Sequence, residues 1–278
     1  MRPIPVLMYH HVNPHKGDMV TVTPDVFEGQ MRHLRESGYR SLTIDELVSY
    51  IAGETVLKER AVVVTFDDGW LDNFIYAFPV MKRYNINACI FIVTDWVGNS
   101  VVDAYGNSGD TLLNSAELSK VSPELPELPS HKESKSLIRK DRSGEVILGW
   151  DHIRTMQKSG LTEFYAHTRS HARCTTLSLP ELLSELGESK LAIENHLSKP
   201  CPYMCWPYGE YGNAALKAAR EVGYKALFTT VHGVANPGSD PFAIKRIVVK
   251  DDIAWFKKRM GIYTNQFLAA CYLKIKKK

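Results

Sequence analysis

Two groups of residues in this chain have the types and spacing for metal-dependent chemistry. Thr65-Phe66-Asp67-Asp68-Gly69 directly follows the apolar run Ala61-Val62-Val63-Val64. The β-branched run reads as a buried parallel strand, and Gly69 as the turn that ends it. Two adjacent carboxylates are therefore delivered to a strand end, where α/β folds place their chemistry. Neighbouring carboxylates repel unless a cation or a shared proton relieves them, so the pair points to a metal or an acid–base role. The competing reading is a polar turn that caps the next helix. The second group, Ala166-His167-Thr168-Arg169-Ser170-His171, follows an expected strand beginning at Thr162. Two imidazoles four residues apart can chelate one metal from a turn, although with ten histidines in the chain the spacing alone is a weak signal. Joined to Asp68 they make a His-His-carboxylate set, a three-ligand arrangement for a catalytic metal with an open fourth position. A third element, Trp206-Pro207-Tyr208-Gly209, ends another strand and by itself signals only a turn.

The elements that must position these residues alternate. Short β-branched strands are expected at Ile4–Tyr9, Ala61–Val64, Ala88–Val93, Thr162–Ala166, Tyr203–Trp206, Ala226–Thr230 and Lys245–Val249. Amphipathic helices separate them. Thr23-Pro24 opens a helix with Phe27, Met31 and Leu34 at helical spacing and Gly38 beyond its end. Thr43 with Glu46 and Ser178 with Glu181 are capping boxes, Gly223 closes the helix that starts at Asn213, and Asp251 is expected to cap a final helix. This rhythm predicts a parallel sheet wrapped by helices and closed or nearly closed. Residues 99–149 break it with early Gly, Ser and Asn, then Ser122-Pro123-Glu124-Leu125-Pro126-Glu127-Leu128-Pro129, then charges. A stretch of this kind reads as one loop-rich insertion, a flap near the site, inside a single domain spanning 1–260. Residues 261–278 read as a basic tail ending in Lys274-Ile275-Lys276-Lys277-Lys278.

Composition excludes several classes. At 278 residues, with 44% hydrophobic and 23% charged residues, the chain has an ordinary globular balance. A net charge of +3 is too small to argue for nucleic acid. The basic tail could touch an anionic surface, but it reads first as a solvated terminus. No apolar run reaches the roughly 18–20 residues a membrane-spanning helix needs. The first residues lack a secretory apolar segment and cleavage site, so the chain as written is expected to be cytoplasmic, and extracytoplasmic only if a leader has been removed. Five cysteines at irregular spacing argue against a disulfide framework, and all five read as reduced. Oligomeric state is not encoded in any of these features.

In this order, the three groups resemble the polysaccharide deacetylases of the NodB-homology group, carbohydrate esterase family 4. Thr65-Phe66-Asp67-Asp68-Gly69 matches the first family motif in full, His167-Thr168-Arg169-Ser170-His171 the second, and Pro207-Tyr208-Gly209 the end of the third. The opening Val6-Leu7-Met8-Tyr9-His10-His11-Val12 is similar to the permuted branch that includes the poly-N-acetylglucosamine deacetylases. The resemblance implies an irregular or incomplete (β/α) barrel of the NodB-homology type. It implies that Asp68, His167 and His171 bind one divalent metal, most often zinc, with cobalt, nickel or manganese as alternatives. Asp67 is then the general base on metal-bound water, the Tyr208 backbone N–H an oxyanion donor, and His10 the general acid, with His11 as its substitute. The implied substrate is an N-acetylated sugar in a glycan or glycan precursor.

Amide hydrolysis asks for these parts on its own account. It needs an activated water, a proton acceptor beside it, donors for the tetrahedral oxyanion and an acid for the departing amine. One position departs from the family. Its third motif usually begins with an arginine that orients the base, and Cys205 stands there instead. Arg246 is the candidate replacement, against the reading of a surface arginine closing a strand. Trp206, Pro207 and Tyr208 are candidate substrate-binding residues, with the two aromatic rings as an apolar floor, although ordinary packing accounts for them equally. Two other functions share these residues: a metal amidohydrolase acting on a non-sugar amide, and an inactive glycan-binding homologue.

Overall fold

The computed structural model describes residues 2–98 and 128–276. Its frame is a ring of parallel strands. Strand β1 (Ile4–Tyr9) pairs with β5 (Arg60–Phe66), and β5 continues through β6 (Ala88–Ile92), β7 (Thr162–Ala166), β8 (Tyr203–Cys205), β9 (Ala226–His232) and β11 (Ile244–Val248). The last of these returns to β1, with Leu7 opposite Ile247, so the barrel closes. Strand β4 (Tyr39–Ser41) lies parallel to the start of β5, and β10 (Val234–Ala235) runs antiparallel to the start of β1. A separate pair, β2 (His11–Val12) and β3 (Thr21–Val22), follows the first strand. Ring strands covered on both faces should be apolar throughout rather than alternating. Every residue of β1 and β6, and all of β5 after Arg60, is buried.

Helices cover the outside: α1 (Pro24–Glu36), α2 (Ile44–Ala52), α3 (Phe78–Tyr84), α4 (His131–Arg139), α5 (Trp150–Lys158), α6 (Leu179–Leu197), α7 (Asn213–Val222), α8 (Ile253–Tyr263) and α9 (Gln266–Lys276). The expected signals fall where the chemistry puts them. The Thr43 hydroxyl accepts the Glu46 N–H while the Glu46 carboxylate accepts the Thr43 N–H, closing the box at α2. At α6, Glu181 accepts both the N–H and the hydroxyl of Ser178. Gly53 and Gly223 end their helices in the left-handed conformation that glycine adopts most easily.

Three expectations are corrected. Asp252, not Asp251, caps α8, accepting from the Ala254 and Trp255 N–H groups. Asp251 instead accepts the N–H and hydroxyl of Thr23, which ties the start of α1 to the far end of the chain. Second, the 99–149 insertion is not wholly a loop-rich flap. Residues 99–127 lie outside the described residues, but 128–149 contain α4 and a buried Val146-Ile147-Leu148 run. That run docks on the strand-end turn: the Leu71 N–H donates to Val146 O at 2.8 Å, and the Leu148 N–H to Gly69 O at 2.9 Å. Third, the segment read as a basic tail is helical as far as Lys276. Its Ala269 is buried, and the Arg259 guanidinium lies 4.2 Å above the Tyr272 ring.

Candidate active site

The site collects at the carboxyl ends of the ring strands, the end where barrel folds gather functional side chains. Asp67 and Asp68 leave β5, His167 leaves β7, Trp206-Pro207-Tyr208 leave β8, His10 leaves β1, and Arg246 projects from within β11. Residues from strands far apart in sequence converge because the ring closes.

Asp68, His167 and His171 face one point. Asp68 Oδ1 lies 3.4 Å from His167 Nε2 and 3.3 Å from His171 Nε2. Two ligand atoms about 2.0–2.1 Å from a tetrahedral centre lie roughly 3.3–3.4 Å apart, so these separations suit a small divalent ion. The remaining atoms of two of these side chains are occupied elsewhere. His167 Nδ1 donates to Cys205 O at 2.8 Å, which leaves Nε2 as the lone-pair atom. The Trp70 indole N–H donates to Asp68 Oδ2 at 3.0 Å, leaving Oδ1 to face the imidazoles. Burial by itself would raise the Asp68 carboxyl, but the His167 and His171 imidazoles facing it outweigh this and hold the group well below the usual carboxylate range.

Asp67 points to Arg246. The guanidinium donates from Nη1 to Asp67 Oδ1 at 2.7 Å and from Nη2 to Asp67 Oδ2 at 2.6 Å, a bidentate fork. Its other donors reach Thr229 O, Thr65 Oγ1 and Cys205 Sγ, at 2.9, 3.1 and 2.9 Å. All five N–H donors therefore have acceptors, as a fully buried guanidinium requires. Arg246 is 0% exposed. Burial pushes the Asp67 carboxyl up, and the charge and hydrogen bonds of Arg246 more than reverse this, holding it below its ordinary value. The thiol of Cys205 takes up a place in this cluster, beside both partners.

The adjacent histidines separate. His10 Nε2 lies 3.9 Å from Asp67 Oδ2, with its side chain 20% exposed. Its packed-in position lowers the imidazole pKa, against the opposing pull of Asp67 and Asp68. His11 turns away from the site: Nδ1 is 2.6 Å from Asp72 Oδ2, Nε2 is 3.0 Å from His131 Nδ1, and the ring stacks on Trp70 at 4.2 Å. With both nitrogens engaged, His11 is a poor substitute for His10.

The third motif supplies a strained turn. Tyr208 has φ +59°, its carbonyl accepts the Thr230 hydroxyl at 3.3 Å, and its ring meets His171 edge-on at 4.7 Å. Gly209 follows at φ +69°, where a Cβ would come within 2.1 Å of Thr230 Oγ1 and 2.7 Å of its backbone nitrogen. Tyr208 is exposed, whereas Trp206 is fully buried and stacked on Tyr211, and Pro207 is buried too. Of the proposed apolar floor, only Tyr208 presents surface. Asp68, Thr168, His171 and Tyr208 account for four of the seven non-glycine residues with positive φ among the described residues. Strain of this kind collects where a functional geometry is held by its surroundings. Sequence reasoning passed over Trp70 and Thr65, although both adjoin the aspartate pair. It also passed over Trp96, whose ring lies 5.2 Å from that of His171.

Comparison with known proteins bears on the family and the fold. The sequence model of the polysaccharide deacetylase family matches residues 55–227. The chain is 25% identical over 256 residues to the poly-β-1,6-N-acetyl-D-glucosamine N-deacetylase of Escherichia coli (strain K12), an alignment covering 88% of this chain and 36% of that protein. It shares its fold with the deacetylase PplD of Streptococcus pyogenes, solved in complex with acetate, at a TM-score of 0.71 and 20% identity over 93% of this chain and 98% of the other. IcaB from Ammonifex degensii superposes with a TM-score of 0.69 at 23% identity, covering 92% and 98% of the two chains. The chain belongs to the polysaccharide deacetylase family, hydrolases of carbon–nitrogen bonds.

Proposed function

We propose that the protein hydrolyses the acetamide of an N-acetylated sugar within a glycan, with Asp67 as base, His10 as acid and Asp68, His167 and His171 as the ligands of one divalent ion, zinc fitting best. The observation that carries this reading is the convergence of Asp68 Oδ1 with two imidazole Nε2 atoms, directly beside a carboxylate held in a bidentate arginine fork. When bound, such an ion lowers the pKa of water toward about 7 and draws charge from a carbonyl oxygen. The chain's own residues do the rest. Asp67, kept ionised and fixed in orientation by Arg246, takes the proton of the attacking water. The Tyr208 backbone N–H, in a turn with little freedom to relax, donates to the oxyanion of the tetrahedral intermediate. His10, whose Nε2 lies 3.9 Å from Asp67 Oδ2, gives its proton to the departing sugar amine, which is a poor leaving group without it. The exposed Tyr208 ring offers one apolar face for an acetyl methyl or a sugar.

The relatives support a reading of the substrate class. The Escherichia coli protein is named for poly-β-1,6-N-acetyl-D-glucosamine, and this chain aligns with about a third of it, so a polymer of N-acetylglucosamine is the substrate we propose. The test is acetate release from β-1,6-linked and β-1,4-linked N-acetylglucosamine oligomers, in parallel with small acylated amines, with and without added zinc. Release from the oligomers, and its loss in Asp67→Asn with zinc content intact, is the expected result. Turnover of the small amides alone would show an amidohydrolase of another kind. Oligomer binding without acetate release would show an inactive glycan-binding protein.

A further inference from the structure

Glu185 lies on the buried face of α6, in line with Leu182, Leu186, Ser189 and Ile193, and is only 3% exposed. Carboxylates are rarely placed so deep without partners that repay their lost hydration. Those of Glu185 all belong to the loop between the two histidines of the second motif. Its Oε1 accepts the Ser170 backbone N–H at 2.6 Å and the Ser170 hydroxyl at 3.0 Å, and Oε2 lies 3.1 Å from the same hydroxyl. The Arg169 Nε is 3.7 Å from Oε2. That loop needs holding. Thr168 and His171 both sit at positive φ, +66° and +61°, where side chains crowd the backbone. Inside the loop one hydrogen bond, from the His171 N–H to Thr168 Oγ1 at 3.1 Å, favours the bent shape. On the side of β6, the Asp95 N–H donates to Arg169 O at 2.8 Å. The side of α6 is secured by Glu185, on a helix of 19 residues.

We infer that Glu185 is a positioning residue for His171: by fixing the Ser170 amide it keeps the 168–171 loop in the strained conformation that turns the His171 imidazole toward Asp68. The inference rests on the reading of Asp68, His167 and His171 as metal ligands. Glu185 contributes through Ser170, and its carboxylate faces the outer side of the loop. Groups that orient metal ligands from behind typically govern affinity by about 10–100-fold.

The experiment is zinc affinity of the full chain, by competition with a chromophoric chelator, for the parent, Glu185→Ala, Glu185→Gln and Glu188→Gln. Glu188 lies on the same helix and also pairs with Arg169, but is exposed and does not touch Ser170, so it controls for the loss of one negative charge. Expected are a loss of about tenfold or more in Glu185→Ala, a smaller loss in Glu185→Gln and none in Glu188→Gln. The cobalt-loaded Glu185 variants should show altered d–d absorption, while metal-free melting temperatures stay close to the parent's. In a His171→Ala background, Glu185→Ala should cause no further loss, since its effect passes through that ligand. Should Glu185→Ala fail to fold, Glu185→Gln carries the test. A Glu185→Gln affinity and cobalt spectrum equal to the parent's would overturn the inference. Failure of the parent itself to bind zinc would instead overturn the metal reading beneath it, and the inference with it.

Discussion

Replacing Arg246 with Met tests the pairing that holds the proposed base. The substitution keeps an unbranched apolar stem and deletes five hydrogen bonds from a group that is 0% exposed. The larger consequence falls on Asp67, left buried with a charge and no fork to receive it. Removing one partner of a buried ion pair costs about 3–5 kcal/mol. At about 2–4 °C per kcal/mol for a chain of this size class, metal-free protein should melt about 6–20 °C lower at neutral pH. The pH dependence separates this cause from a simple packing defect. In the parent, Asp67 has a depressed folded pKa, so its stabilisation is present above the ordinary carboxylate range and fades as pH falls through the folded value. In Arg246→Met, burial outweighs what His167 and His10 still contribute and raises that pKa, so the carboxylate costs stability near neutrality and ceases to do so once protonated. The gap in melting temperature should therefore be widest near pH 7 and narrow as the buffer is taken toward pH 4. Adding Asp67→Asn should recover about 2–3 kcal/mol of the loss, because the uncompensated charge is gone. The assay is thermal unfolding in chelator across that pH range, for both single variants and the double. A gap that is independent of pH, with no recovery in the double variant, would refute the reasoning.

Two further outcomes concern the acid and the turn. His10→Ala should retain its metal and lose about 10²–10⁴ in turnover on a sugar acetamide, with a smaller deficit on an activated anilide whose amine departs unprotonated. An equal deficit on both substrates would remove His10 from the acid role. Gly209→Ala must displace Thr230, because a Cβ at that position comes within 2.7 Å of its backbone nitrogen. Zinc stoichiometry should stay unchanged while kcat falls about tenfold to a hundredfold, since a shift of about 1 Å in a donor is enough for that. Unaltered kcat would show that the Tyr208 turn is not part of the oxyanion donor set.

What the sequence made legible is local in origin. The aspartate pair, the histidine pair and the Pro-Tyr-Gly turn each lie at a strand end marked by its own apolar run. The capping boxes at Thr43 and Ser178 are read within four residues. Arg246 could be nominated only because a family position was filled by Cys205; the fork itself joins β11 to β5 and has no signal in either segment. What separates His11 from His10 is its engagement by Asp72 and His131, one 61 and the other 120 residues away from His11. Helix α4 was hidden by a weak apolar face, Leu137 and Ile138 alone, although Ser130 and Glu133 announce its start with the same pattern read elsewhere. The capping role of Asp252 was misassigned by one residue, because its neighbour Asp251 is equally suited and is drawn away by Thr23. Glu185 did carry a signal, a carboxylate in the apolar stripe of α6, but its meaning depends on a loop 15 residues upstream.

The closure of the ring by β1 has a kinetic consequence. Strand β1 is a stave with two parallel neighbours in the ring, and they emerge at very different times. Its pairing with β5 is available once Phe66 has emerged, but the edge that receives β11 stays open until Ile247 follows. Until Ile247 has emerged, a fully apolar strand therefore presents unpaired N–H and C=O groups along one side, a template for association with other chains. Closure joins residues at opposite ends of the described chain and must await the costly ordering of everything between, so it is the natural slow step of refolding. It is also the step that brings Arg246 to Asp67. Completion of the arginine fork on the proposed base and burial of this open strand edge are thus one event, and a refolding chain should gain activity only when its tendency to aggregate ends.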